Sequence, residues 1–481
     1  MAHPRLLALS LLLGATPLAA QDPLTLQQAI AMAQAAGFDA RAAESARDAA
    51  RYRDREFYAR QLPRLSLSGT VPSYNRAIIP VLQPDGSTGF RAQDQVSTDL
   101  TATLSQQLPV TGGDFFVSSS LSRLAVTGQG SVHTWSSAPV TFGLRQPLLR
   151  PNLNGWDRRE QPVRSELAER QYRESREGIA IQTTSLFFDV YAAKVALANA
   201  SGNAAINDTL YTLNKGRFEV GKIGENDLLQ SELALLRARN AADLARLDYD
   251  RALAALRLQI GLAPGAPLDI SVSGDVPTFA ADTLRAVAEA LRNRAVVSGA
   301  ELDAVQTDRR VTEARLNNGL GATLQASYGF NATGDHFRSA YQQLQEARQF
   351  SLSLEVPLVQ WGARGQAIQA AKADREQVTS QNRGLLAATA QEAHFAVLQL
   401  EQARRNLTLS AKGDTVASRR FEVAYNRYVV GRITVDNLYL AQAEKDQALS
   451  GFVQALRGYW VAHYGLRRST LYDFEANAPI R

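Results

Sequence analysis

The chain has 481 residues, of which 45% are hydrophobic and 21% charged, and its net charge is +5. Basic and acidic side chains are interleaved, which is typical of a solvated surface and does not indicate a nucleic-acid partner. The absence of cysteine excludes disulfides, thiolate metal sites, cysteine nucleophiles and lipid attachment through cysteine.

Residues 1–20 have the features of a secretory signal peptide. Arg5 precedes an apolar run, Leu6–Leu13, and a small-residue cleavage site follows. The run is too short to span a bilayer as a helix, and no later window offers 18 uncharged apolar residues. Thr25 and Gln28 then have the spacing of a capping box and predict the first helix of the mature chain, with a break near Gly37.

Residues 63–149 alternate apolar and small polar side chains, as in Arg64–Val71, and are predicted to form strands. We expect loops at 76–94 and 127–138, which are rich in Gly, Pro, Asp, Ser and Gln. The stretch 95–126 either adds strands or forms an external loop. A soluble sandwich and a membrane barrel both show this alternation, and a polar face of Ser, Thr, Gly, Gln and Arg favours a water-filled lumen.

Long helices are predicted next. One pattern runs from about Trp156 to Phe218, and a helix of that length is on the order of 90 Å long, too long for a globular core. After a turn at Gly221, a second helix extends to about Ile260. A linker rich in Pro and Gly, 261–282, leads into the second half of the chain.

The chain is internally duplicated. Arg217–Ile223 recurs as Arg427–Ile433 at an offset of 210 residues, and each copy predicts a helix, a glycine turn and another helix. We therefore divide the mature chain into a first repeat, 21–270, and a second repeat, 271–481, whose strands are expected at about 320–356. The last helix has a seam with heptad spacing: Leu438, Gln442, Lys445, Leu449, Phe452, Leu456, Tyr459, His463 and Leu466.

No motif predicts catalysis. Gly216–Lys222 has the spacing of a phosphate loop, but Ile223 occupies the position of the magnesium-binding Ser or Thr, and the segment follows a helix. The five histidines are dispersed and have no metal-ligand spacing. We therefore expect neither an enzyme nor a bound cofactor or metal.

Taken in order, these motifs resemble the TolC family of outer-membrane efflux and secretion channels. The segments that carry the resemblance are the opening Leu24–Ile30, the strand-to-helix passage Gln146–Leu149, the first turn Val220–Ile223 with Asp227 and Leu228, and the second turn Val430–Ile433 with Asn437, Leu438 and Ala441. The resemblance extends over essentially the whole mature chain.

The resemblance implies a mainly α-helical fold with a membrane β-barrel. Three identical chains would contribute strands to one outer-membrane barrel, and their long helical hairpins would form a tunnel in the periplasm. The implied function is the passive outer-membrane conduit of a tripartite efflux or type I secretion system, with a periplasmic adaptor and an inner-membrane pump as partners and outer-membrane lipid around the barrel. The cargo is left open: drugs, metal ions or proteins. The alternative is a secreted helical coiled-coil structural protein with a soluble β domain.

The resemblance also implies that the two turns lie at the periplasmic tip and form its gate. The candidate residues are Gly221, Lys222, Glu225, Asp227, Gly431, Arg432, Asp436 and Asn437. Asp227 matches an acidic position of the family, whereas Asn437 replaces one in the second repeat. The acids are also ordinary at helix N-termini, where the helix dipole favours them. Our hypothesis is that Lys222 and Arg432 pair with these acids across hairpins and hold the tunnel shut.

Overall fold

The structure is a computed structural model that describes residues 23–127, 131–274 and 276–480. Its helices and strands are α1 (Leu26–Ala36), α2 (Phe38–Arg60), β1 (Arg64–Leu82), β2 (Thr88–Gln107), β3 (Asp114–Thr127), β4 (Ser131–Leu148), α3 (Leu153–Glu219), α4 (Glu225–Gln259), α5 (Thr283–Asn293), α6 (Ala295–Asn317), β5 (Gly321–Gly334), β6 (Gln345–Glu355), α7 (Ala363–Val429), α8 (Val435–Thr470), β7 (Tyr472–Asp473) and β8 (Ala478–Pro479). The signal peptide predicted at 1–20 lies outside the described residues.

The first helix begins with the predicted capping box. Thr25 Oγ1 accepts a hydrogen bond from the Gln28 amide at 3.3 Å, and Gln28 Oε1 accepts one from the Thr25 amide at 2.9 Å. These bonds satisfy two backbone donors that would otherwise lack partners. Helix α1 ends before Gly37 and α2 begins at Phe38, so the predicted break is confirmed.

Six strands form one antiparallel sheet, in which each strand pairs with its neighbour in the order β1-β2-β3-β4-β5-β6. The prediction of loops at 76–94 and 127–138 is wrong for most of both stretches. Strand β1 continues to Leu82, β2 begins at Thr88, and β4 begins at Ser131. Ile78, Ile79, Val132 and Trp135 favour strands, and pairing with a neighbouring strand supplies the backbone hydrogen bonds in both stretches.

The stretch 95–126 lies in β2 and β3, which pair over 14 consecutive residues from Asp94↔Thr127 to Gln107↔Asp114. It therefore adds strands to the sheet and does not form an external loop. Of the six strands in this sheet, four come from the first half of the chain and two from the second half.

The described chain forms two compact units. One combines the N-terminal segment to Ala43 with Ser175–Ala286 and His394–Arg481, and its core includes Phe187 and Leu256. The other combines Glu44–Glu174 with Val287–Ala393 and contains the sheet β1–β6. The division into two sequence repeats stays a prediction, since each unit takes segments from both.

The long helices are confirmed. Helices α3 and α7 have 67 residues each. Most of the predicted seam of α8 is buried, namely Leu438, Gln442, Leu456, Tyr459, His463 and Leu466. Helices this long bury one stripe against neighbouring helices, because no compact core is thick enough to surround them.

Candidate functional site

The six-stranded sheet has one apolar and one polar face. Directly paired residues share a face, so the register of the five strand pairs assigns the paired side chains to one face or the other. The apolar face contains Leu65, Leu67, Leu100, Leu104, Val117, Phe142, Tyr328, Phe350, Leu352 and Leu354. The polar face contains Ser66, Ser68, Thr101, Thr103, Ser118, Ser120, Thr141, Gln325, Ser351 and Ser353.

The apolar face is uncovered in a single chain. Leu65, Leu67 and Phe350 are each 73% exposed, and Leu354 is 63% exposed. A monomeric soluble protein rarely leaves so continuous an apolar surface in water. The face therefore requires contact with hydrocarbon or with another molecule.

Aromatic side chains lie near both ends of the strands. Near the β3–β4 turn, the Trp135 and Phe337 rings lie 5.7 Å apart, and the Arg123 guanidinium lies 5.6 Å from the Trp135 ring. At the opposite end, beyond β6, Trp361 is 95% exposed. The ring pair at one end and the exposed tryptophan at the other, with the apolar face between them, agree with the aromatic bands that flank membrane sheets.

The two predicted turns have the same backbone geometry. Gly221 and Gly431 have φ of +69° and +74°. The Gly221 amide donates to Phe218 O and the Lys222 amide to Arg217 O, both at 2.8 Å. The second turn repeats these bonds, and the pattern is a Schellman motif that closes α3 and α7. Glycine is favoured because a Cβ is strained at these φ angles.

The acids of the two turns lie in the first turn of a helix. Glu225 and Asp227 occupy this position in α4, and Asp436 in α8. They complement the positive end of the helix dipole, as the simpler interpretation expected. Asn437 Nδ2 donates to Thr434 Oγ1 at 3.0 Å and thus stabilises the start of α8.

The structure brings only part of the predicted gate set together. A cleft of ≈ 530 Å³ between the turns is lined by Lys222, Asp227, Gly431 and Asp436, but not by Gly221, Glu225, Arg432 or Asn437. Asp436 Oδ1 accepts a hydrogen bond from Gln230 Nε2 at 2.7 Å. Among the described residues of one chain, neither Lys222 nor Arg432 forms an ion pair, so pairing between hairpins of different copies stays a prediction.

The contacts that join the two turns were not predicted from the sequence. Tyr428 Oη donates to Asn214 Oδ1 at 2.8 Å in a buried position, and Arg217 lies 5.3 Å from the Tyr428 ring centroid. Arg217 Nη2 also donates to Val429 O at 3.1 Å. Phe218 and Tyr428 are equivalent positions of the two repeats. The hydroxyl that only the second copy has was the one feature of the sequence that could have indicated this hydrogen bond.

Residues 114–262 match the sequence model of the outer membrane efflux protein family. The resemblance seen in the sequence is confirmed. The match to the outer membrane efflux proteins begins with β3, includes α3, the first turn and α4, and ends just after α4. Among curated protein sequences, none matches this chain.

Several solved structures have the same fold as this chain. The CmeC outer membrane channel of Campylobacter jejuni is 15% identical, with a TM-score of 0.68 over 95% of this chain and 86% of that one. VceC of Vibrio cholerae is 12% identical, with a TM-score of 0.65 over 95% and 97%. The open-state MtrE channel of Neisseria gonorrhoeae is 14% identical, with a TM-score of 0.62 over 92% and 88%. The mainly helical fold with an antiparallel sheet is therefore that of channel proteins.

Within the described residues, none of the helices combines the length and apolarity needed to cross a bilayer. The same part of the chain contains no group of three or more His, Cys, Asp or Glu side chains suited to a metal ion.

Proposed function

We propose that this chain is the outer-membrane channel component of a tripartite efflux or type I secretion system. Three copies would form a passive conduit that crosses the outer membrane as a barrel and the periplasm as a helical tunnel. A periplasmic adaptor would bind at the tips around Gly221 and Gly431, and an inner-membrane pump would supply the energy.

The observation that carries this proposal is the two-faced sheet. Its apolar face suits the hydrocarbon of the outer membrane, and its hydroxyl-rich face suits a water-filled lumen. The exposed aromatic side chains at either end of the strands fit the two membrane–water interfaces. Six strands with open edges cannot stand alone in lipid, because each unpaired backbone group there costs several kcal/mol.

The rival function, a secreted structural rod with a soluble β domain, requires a dry interior against the apolar face. The exposure of Leu65, Leu67 and Phe350 at 73% each gives no support to such an interior. The likeness to channel folds over more than nine tenths of the chain also favours the conduit.

The test is to express the full chain in a Gram-negative host and follow where it fractionates. We expect the protein in outer membranes, released only by detergent, as a trimer that migrates differently on gels before and after heating. The purified trimer should form pores in planar bilayers. Recovery as a monomer in the soluble periplasmic fraction would support the structural rod and contradict the conduit.

A further inference from the structure

The two edges of the sheet are complementary to each other. Among the described residues, β1 pairs only with β2, and β6 only with β5, so each leaves one edge unpaired. With six antiparallel strands, β1 and β6 run in opposite directions, which allows β6 of one copy to pair antiparallel with β1 of the next. We propose that neighbouring copies join through this seam and that every copy contributes all six strands to the barrel. The number of copies rests on the proposed function, whereas the seam itself does not.

The register of the seam follows from the climb of the sheet, which is the shift in residues along the strands that accumulates between β1 and β6 of one chain. Direct pairs lead from Arg64 through Ser105, Phe116, Gly143 and Ser327 to Gln349. Arg64 is the first residue of β1, whereas Gln349 lies six residues before the end of β6 at Glu355. At both of these strand ends the chain passes through a short link to a helix, α2 before Arg64 and α7 after Glu355. If they lie at one level in neighbouring copies, Arg64 of the next copy faces Glu355.

This register is chemically matched along seven residues, Arg64–Thr70 against Gln349–Glu355. It places the Arg64 cation opposite the Glu355 carboxylate on the polar face, where this carboxylate is still exposed although it pairs with Arg150 of its own chain. Leu65 then faces Leu354, and leucine and serine pairs alternate up to Gly69, which faces Phe350. Opposite charges, paired aliphatic side chains and an aromatic ring over a strand glycine all stabilise neighbouring strands.

The same register gives an ordinary barrel geometry. A climb of six residues over six strands is one residue per strand. Each residue rises about 3.3 Å along its strand and neighbouring strands lie about 4.8 Å apart, so the strands tilt by about 35° from the barrel axis. Closed membrane sheets have tilts of about 35–45°. Slipping the seam by two residues in the direction that lowers the climb reduces the tilt to about 25°.

The part of β1 that lies in the proposed seam also lacks the prolines that protect the rest of this edge. Pro72 and Pro80 lie in the part of β1 beyond Thr70, and proline blocks pairing because it lacks an N–H. Arg64–Thr70 and the whole of β6 contain no proline. An unprotected edge of this kind is ready to accept a partner strand.

The rival seam joins β6 to β3 and leaves the β1–β2 hairpin outside the barrel. The 14 consecutive pairs between β2 and β3 oppose it, because they already occupy that edge of β3. With three copies, the β1 seam yields 18 strands and a barrel roughly 35 Å across between backbones, wide enough for an aqueous channel.

The seam can be tested by cross-linking, since the chain has no native cysteine. The pair S68C/S351C reports the proposed seam, and S118C/S351C reports the rival at the equivalent level. In one chain, residues 68 and 351 lie on opposite edges of the sheet, about 24 Å apart along the ladder. A short thiosulfonate cross-linker should convert most S68C/S351C protein into a covalent trimer that reductant returns to monomer. The rival pair and the two single variants should remain monomeric on denaturing gels.

Three results would overturn the seam. A trimer linked by S118C/S351C but not by S68C/S351C would place the hairpin outside the barrel and leave the channel proposal intact. A conducting trimer that neither pair links would also overturn the seam alone. A soluble monomer would overturn the seam and the proposed function together. Unchanged heat-dependent migration of each cysteine variant shows that it has folded.

Discussion

At the scale of single residues, His463 is a titratable side chain held in an apolar site. It is only 4% exposed, and the rings of Phe279, Trp460 and Tyr464 lie with their centroids 5.0–5.6 Å from its own. Burial, reinforced by Arg467 and opposed by Asp473, lowers the pKa of His463 to about 4. The imidazole is therefore neutral in the folded chain at pH 7.

This burial predicts a loss of stability in mild acid. As the pH falls from about 6.5 to about 4, the unfolded chain binds a proton at His463 that the folded chain does not, so the free energy of unfolding decreases by about 3 kcal/mol. Thermal unfolding in detergent across this range should show a steeper decline for the unmodified protein than for His463→Phe. His394→Gln, at an exposed histidine of α7, serves as the matched control and should keep the full decline. An identical decline in His463→Phe would contradict the assignment.

At the scale of elements, an ion network joins α3 to α6. Arg309 Nη1 lies 2.7 Å from Asp157 and 3.0 Å from Glu160, and Arg309 Nε lies 2.8 Å from Glu313. The Glu160 side chain is only 2% exposed, and its second oxygen is 2.6 Å from Arg164. Burial alone would raise the pKa of Glu160, but hydrogen bonds from Arg309 and Arg164 lower it. These two partners therefore keep the pKa of a buried carboxylate below its usual value.

Removing Arg309 should therefore be costly. Arg309→Leu leaves Glu160 buried with one cation fewer, and we expect a loss of about 3 kcal/mol of stability. Arg375→Leu is the matched control, since Arg375 meets Asp308 at 3.3 Å with both side chains about half exposed, and it should cost less than about 1 kcal/mol. Thermal or denaturant unfolding in detergent measures both. Equal effects of the two substitutions would show that the network contributes no more than a surface pair.

At the scale of the whole molecule, the tips are where the proposed conduit would close. Asp227 lines the cleft between the turns, and Arg432 follows the second turn glycine without an ion pair to any described residue of its own chain. In a ring of copies, such charges are available to neighbouring hairpins. The gate hypothesis assigns them this role.

Replacing Asp227 and Arg432 together with alanine should raise single-channel conductance in planar bilayers, because contacts between hairpins would no longer hold the tip shut. Lys215→Ala combined with Glu219→Ala removes one base and one acid close to the first turn but outside the cleft, and conductance should then stay at the unmodified level. Equal conductance of the unmodified trimer and of Asp227→Ala/Arg432→Ala would count against the gate.

The sequence by itself determined the features that depend on near neighbours along the chain. The Thr25–Gln28 capping box, the glycine turns at Gly221 and Gly431, and the two-residue alternation of β6 all follow from local backbone chemistry. Such patterns extend over a few residues, so they can be recognised in the sequence before the fold is known. The long helices were predictable for the same reason, because their periodicity repeats over many turns.

Only the tertiary structure decided which distant residues meet. The far end of β1 and the beginnings of β2 and β4 lie in stretches predicted as loops, and they form strands because a neighbouring strand is there to pair with them. Glu160 and Arg309 are 149 residues apart, and Asn214 and Tyr428 are 214 apart, and no local pattern marks either pair. The free edges of β1 and β6 appear only when all six strands are in order. Their complementarity is a property of the assembled sheet, because it depends on register accumulated over five strand pairs.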